Sequence, residues 1–146
     1  MPDPKTQNFA NHRRIVFQYH VVAFLLIVAN FGYAVWMAVT AFSVASLMYL
    51  LLAIAVFLLF WYARTFATAV QDRVIRLEER LRMGLLVPAE LQPRIGEFTV
   101  AQLVALRFAS DAELPALAQE VLDQNIQDRE EIKKKVREWR ADHCRV

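Results

Sequence analysis

Between Arg14 and Arg64 the chain has no Asp, Glu, Lys or Arg, a charge-free run of 49 residues from 15 to 63. Such a run excludes a solvated surface segment, and its length exceeds what a buried core helix requires. Cysteine is nearly absent as well: Cys144 stands alone, so no intrachain disulfide can form, which fits a reducing compartment. With only three glycines there is no Gly-rich phosphate loop and no nucleophile elbow. The three histidines, His12, His20 and His143, are scattered, and Cys144 beside His143 lacks the paired spacing of a zinc site. His143 and Arg145 could activate that thiol, but a reactive role needs a positioned base, so a terminal cysteine without a catalytic role is expected. No metal, cofactor or enzymatic machinery is therefore expected. No alternation of apolar and polar residues marks a strand, so the expected class is all-α.

What the charge-free run does contain is apolar and aromatic. As a single helix it would extend roughly 70 Å, against a hydrocarbon core of about 30 Å. The expectation is a hairpin of two spanning helices, roughly 16–38 and 44–64, turning near Val39–Ser46, where Thr40, Ser43 and Ser46 are the most polar stretch. Arg13-Arg14 before an apolar segment invites comparison with an export signal. The apolar run is too long for one, and a second apolar segment follows at once, so a retained anchor is expected. Phe17 and Tyr19, Tyr33 and Trp36, and Phe60, Trp61 and Tyr62 fall where headgroup-level aromatics belong. Arg13, Arg14, Arg64, Arg73 and Arg76 flank the open end of the hairpin and the turn carries no cation. The positive-inside rule then directs both termini to the cytoplasm.

Within the run, Ala23, Ile27, Asn30, Ala34, Ala38 and Ala41 form one helical stripe, small except for Ile27 and Asn30. Small residues allow close helix approach in lipid, which marks Ala23, Ile27, Asn30, Ala34 and Ala38 as a helix-packing or oligomer surface. Asn30 would bond either its symmetry mate in an oligomer or, within one chain, a backbone carbonyl or Tyr49. The spans hold no acidic residue and no histidine besides His20 at the boundary, so a proton relay has no members and one copy encloses no polar path.

Beyond Arg64, Phe66, Val70, Val74, Leu77 and Leu81 recur at helical spacing, with Asp72–Arg76 and Glu78–Arg82 as i,i+4 pairs and Gly84 and Pro88 as stop signals. This predicts a juxtamembrane amphipathic helix over 65–84. Its apolar face is expected to pack on the tail's own domain; a coiled coil between copies and contact with anionic lipid are the alternatives. A short segment with Pro88, Pro93 and Gly96 follows. Helix starts are then legible at the capping boxes Thr99–Gln102 and Ser110–Glu113 and at Asp128. The second of these helices should present Leu114, Leu117, Ala118, Val121 and Leu122 and close at Asn125 in a left-handed turn. The last should present Ile132, Val136 and Trp139, with Glu130–Lys134 and Glu131–Lys135 pairs outside. The organisation expected is an N-terminal arm (1–15), the hairpin (16–64), the amphipathic helix (65–84) and a small cytoplasmic helical domain (85–146).

Lys133-Lys134-Lys135 with Arg137, on the second of two short helices, suggests nucleic-acid binding. Residues 127–146 nevertheless hold seven cations against five anions. A phosphate-binding face needs unopposed charge, so a solvated face is expected.

Four strings carry a family resemblance: Gln7-Asn-Phe-Ala-Asn-His12, Gln71-Asp-Arg-Val-Ile-Arg-Leu-Glu-Glu-Arg-Leu-Arg82, Gln102-Leu-Val-Ala-Leu-Arg-Phe-Ala-Ser-Asp111 and Trp139-Arg-Ala-Asp142. Through them nearly the whole chain resembles an uncharacterised bacterial family of small two-pass membrane proteins, a domain of unknown function. The resemblance implies a bacterial inner membrane and supplies no activity to carry over. It draws attention to Asn8, Asn11, His12, Arg73, Arg76, Glu78, Arg82 and Arg107, and the expectation is that the arm docks on the juxtamembrane helix through these Asn and His side chains. The function expected is a non-enzymatic membrane anchor or scaffold whose helical module binds a copy of itself or another membrane or cytoplasmic protein. A membrane-tethered nucleic-acid-binding regulator and an accessory subunit of a larger membrane enzyme or transporter are the alternatives.

Overall fold

The structure is a computed structural model describing residues 7–11 and 15–142. Among them it is all helix, apart from one isolated antiparallel bridge between Ala109 and Trp139. The chain divides into two units, Arg14–Thr68 and Ala69–Val146 with the N-terminal residues through Arg13.

In the first unit a π-helical turn, Gln18–Ala23, runs into α1 (Phe24–Thr40), and α2 begins at Val44. The connection needs neither Gly nor Pro. Ala41 leaves the helix at φ −136° and ψ 61°, outside the helical region, and Ser43 caps α2 by accepting from the Ser46 N–H at 3.1 Å. Ser46 Oγ answers by accepting from the Ser43 N–H at 2.8 Å, so a reciprocal serine box satisfies two amides that would otherwise be orphaned. Aromatic side chains fill the space between the helices. Tyr19 stacks on Phe60 with centroids 4.4 Å apart and donates its hydroxyl to the Phe60 carbonyl, and Phe31 meets Phe57 at 6.4 Å. Ala34 and Ala53 are buried, while most of the large apolar side chains of both helices face outward.

α2 (Val44–Leu86) is one uninterrupted helix of 43 residues, about 65 Å long. The separate amphipathic helix expected over 65–84 is its second half, and Gly84 lies inside it with no positive φ. Termination falls to Pro88, which disfavours helix at Val87. Gln92 Nε2 donates to the Gly84 carbonyl at 3.3 Å and satisfies one of the last acceptors.

In the second unit a 3-10 turn (Gln92–Glu97) with Pro93 at its start leads to α3 (Val100–Leu106), α4 (Leu114–Asp123) and α5 (Arg129–Lys135). The Thr99–Gln102 capping box is complete, Asp128 caps α5 through the Glu130 and Glu131 amides, and Asn125 takes φ 50° after α4. Ser110 does accept from the Glu113 N–H (3.2 Å), but the Glu113 carboxylate does not return to Ser110. It accepts instead from the backbone N–H groups of Arg137 and Glu138, which tether the segment after α5. That helix ends before Val136, so Trp139 reaches the core from the bridge rather than from a helix face.

The core is built from Met83, Val87 and Leu91, from Leu103 and Leu106 of α3, Leu114, Leu117 and Val121 of α4, and Ile126, Ile132 and Val136. The face of α2 that enters it carries Ile75, Glu79 and Met83. This corrects the expected packing: Phe66, Val70, Val74, Leu77 and Leu81 are all exposed, on roughly the opposite side of the helix. The domain takes the more polar face because it brings partners for those polar groups, Arg129 for Asp72 and Asp111 and Arg140 for Arg82 and Glu79.

Gln102 serves twice, completing the cap and donating Nε2 to the buried Ile126 carbonyl at 2.9 Å. Gln102→Ala should therefore destabilise this unit by about 1–3 kcal/mol, since it removes the cap and orphans a buried acceptor. Pulse proteolysis of the detergent-solubilised chain in urea would read this as a lowered midpoint; an unchanged midpoint would refute it.

Candidate functional site

Glu79 faces inward from α2, beside Ile75 and Met83, and is 4% exposed. Arg82, one turn on, donates Nη1 to Glu79 Oε2 at 3.0 Å. The same guanidinium reaches Asp111 Oδ1 through Nε at 2.8 Å and the Ala109 carbonyl through Nη2 at 2.7 Å. Arg140 approaches the other oxygen of Glu79 at 3.7 Å. Beside them Arg107, also buried, donates Nε to Asp142 Oδ2 at 2.9 Å and Nη1 to the Val104 carbonyl at 2.8 Å. Its guanidinium lies over the Phe108 ring, 4.3 Å from the centroid, and Phe108 in turn packs on Trp139. Glu79, Arg82, Arg107, Arg140 and Asp142 line an open cleft of about 590 Å³ together with Glu78, Leu81 and Ala141.

The backbone holds this cluster in place. Arg140 N–H donates to the Phe108 carbonyl at 2.7 Å and Ser110 N–H to the Glu138 carbonyl at 2.9 Å, which pins the C-terminal segment to the loop after α3. Gln7 extends the pairing. Its side-chain carbonyl accepts from the Asp142 N–H at 2.7 Å, and its amide donates to the Asp142 carbonyl at 3.4 Å.

Burial pushes the Glu79 carboxyl above its ordinary range, against the pull of Arg82, Arg140 and Arg107. A raised acid in a cleft is a candidate for proton transfer. Here it bonds to Arg82, no nucleophile adjoins it, and among the described residues no group of His, Cys, Asp and Glu is arranged to hold a metal ion. The arrangement acts as a clasp: half-buried Arg82 joins α2 to the loop after α3, and buried Arg107 joins the end of α3 to the C-terminal segment, on which Gln7 of the arm docks.

Of the residues singled out by sequence, Arg82 and Arg107 lie in this cluster. Arg73, Arg76 and Glu78 are exposed and, among the described residues, form no ion pair. The expected Asp72–Arg76 and Glu78–Arg82 pairs are replaced by Asp72–Arg129, whose cation comes from α5, and by Glu79–Arg82, an i,i+3 pair on the buried side of the same helix. Glu130 pairs with Lys133 at i,i+3 and Lys135 with Glu120 of α4, in place of the expected Glu130–Lys134 and Glu131–Lys135 pairs. Asn8 closes a local turn by accepting from the Ala10 and Asn11 amides, while the Asn11 side chain accepts from the Asn8 N–H. The arm thus docks through Gln7 on the C-terminal segment, and not through Asn8 on the arginines of α2; His12 lies outside the described residues. In the other unit Ala34 is fully buried, Ala23, Ile27 and Ala38 are half-buried, and the Asn30 amide donates to the Tyr49 hydroxyl. That is the within-chain alternative for Asn30.

Sequence reasoning passed over Gln7, Glu79, Asp111, Arg140 and Asp142, although all five sit inside the strings that carry the resemblance. One signal was available: Glu79 falls midway between Ile75 and Met83 at i±4, a carboxylate on an apolar row.

The class of protein is therefore a small all-helical chain, with two helices long and apolar enough to cross a membrane and a helical domain closed by a buried arginine–carboxylate clasp. It matches a family of unknown function (DUF6526) over residues 3–146 and belongs to it. No curated protein and no solved structure matches it.

Arg82→Ala would leave Glu79 buried without its main partner and should cost about 3–5 kcal/mol. Arg82→Lys should recover only part of that, since an ammonium cannot span Glu79, Asp111 and the Ala109 carbonyl as the guanidinium does. Urea midpoints of the three proteins give the order, and equal midpoints would refute the clasp. Glu79 also sets a pH dependence. The folded protein holds its proton more tightly than the unfolded chain, so its contribution is full at low pH and declines as pH rises through the raised value. Glu79→Gln should therefore gain stability relative to the native protein as pH rises from the ordinary carboxylate range toward neutrality. A difference that stays constant across that interval would show that burial imposes no such cost.

Proposed function

We propose that the protein is a two-pass anchor of the bacterial inner membrane that holds its helical domain at the cytoplasmic face as a non-enzymatic scaffold. One observation carries the reading. Only 6% of the apolar window of the first long helix and 11% of that of the second is buried within the protein. The core helix of a soluble protein would bury most of it; lipid is the environment that accepts these side chains as they stand. The reciprocal serine cap between the helices and the Asn30–Tyr49 bond support it further, because each pairs polar groups that lipid would leave unsatisfied. Arg64, Arg73 and Arg76 follow the second apolar segment and the turn at 41–43 has no cation, which supports cytoplasmic termini.

The ion pairs of α5 weigh against the nucleic-acid alternative. Lys133 bonds Glu130 and Lys135 bonds Glu120, each at 2.7 Å, so two of the three clustered lysines already have carboxylates. The hydrogen bond from Lys135 holds the Glu120 carboxyl below its usual range and keeps that partner ionised.

In a bacterial host the chain should remain with membranes through an alkaline carbonate wash. A fluorescent protein fused at the C-terminus should fluoresce, while alkaline phosphatase should be active only when inserted at the 41–43 turn. Release by the wash would refute the anchor, and the reverse reporter pattern would refute the orientation.

A further inference from the structure

The second half of α2 presents an apolar stripe that the protein does not cover. Val70, Val74, Leu77 and Leu81 are each about half exposed or more, with Leu77 at 62%. Their spacings of four, three and four place them at successive d, a, d and a positions of a heptad pattern. Ile75 and Glu79, which face the domain core, fall at b and f, away from that seam. The domain therefore leaves the stripe open along its length.

We propose that this stripe is the interface with a second copy of the chain, forming a short parallel coiled coil. The flanking charges favour that occupant. In the same register Arg73 takes a g position and Glu78 the following e position, so in a parallel pair Arg73 of each copy faces Glu78 of the other, twice by symmetry. Within one chain the two lie on opposite flanks of the stripe, and among the described residues neither has an ion-pair partner. An antiparallel pair would instead bring the Arg73 flanks of the two copies together, which disfavours it.

The direction also agrees with the anchor reading, on which this inference rests. Two copies inserted with the same topology in one membrane carry α2 in the same direction. Four seam positions span fewer than two heptads, little for a free peptide, but anchoring in a shared bilayer raises the effective concentration of the partner.

Disulfide trapping of the full-length chain in native membranes tests this, with Cys144→Ser removing the natural thiol. Val74→Cys and Leu77→Cys, introduced singly, should each give cross-linked dimer on mild oxidation, because only a parallel pair sets a against a and d against d. Arg76→Cys, off the seam, should not. Adding Arg73→Glu to Leu77→Cys should lose most of the cross-linked species, and adding Glu78→Arg to that variant should restore it. Equal trapping at 76 and 77, absence of trapping at 74 and 77, or failure of the charge exchange to restore it would overturn the dimer. Labelling of Leu77→Cys by a bilayer-confined reagent without trapping would assign the stripe to lipid and overturn it equally. A chain that resists alkaline extraction but fails to cross-link refutes the dimer alone; one released by the wash refutes the anchor itself.

Discussion

Apolar surface that the chain cannot cover by itself governs this structure. The charge-free run folds into two helices that meet through aromatic side chains and a few alanines, and most of their large side chains still point outward. A 17 kDa protein has no spare elements to cover that much surface. Several polar groups in the unit are paired locally, through the serine box of the turn, Asn30 with Tyr49, Tyr19 with the Phe60 carbonyl, and threonines bonded back to their own helix. Such pairing suits an apolar surrounding, where water would not satisfy what a protein leaves open.

The second unit follows the opposite strategy. Its core is small, and much of its definition comes from charges taken inside. Arg82 and Arg107 are each anchored by a carboxylate and a backbone carbonyl, so the desolvation of the guanidinium is offset by directional bonds. Because those acceptors lie on separate segments of the chain, the arginines determine where the C-terminal segment and the arm can lie. The same residues explain why the domain binds the polar side of α2 and leaves the apolar side for another surface.

Helix positions were the most legible part of the sequence. Apolar periodicity, the Thr99 and Asp128 caps and the left-handed Asn125 are local signals, and each appears in the structure where the local chemistry places it. Much less of the clasp was legible. Arg82 and Arg107 drew attention, but their partners Asp111 and Asp142 are remote in sequence, and the nearest-carboxylate rule for helices selected Glu78 over Glu79. Gln7 was hidden for the same reason: its partner is 135 residues away.

The sequence by itself determined that the chain is helical, that two of its helices are too long and too apolar for a solvated surface, and where most helices start. These properties depend on side chains within a few residues of one another, whose spacing along a helix is set by its pitch. Only the tertiary structure decided which face of α2 the domain would take. An amphipathic pattern identifies an apolar face but not its occupant, and the polar face prevailed because distant segments brought matching charges to it. Glu79 thus lies buried while Leu77, two residues before it, remains exposed.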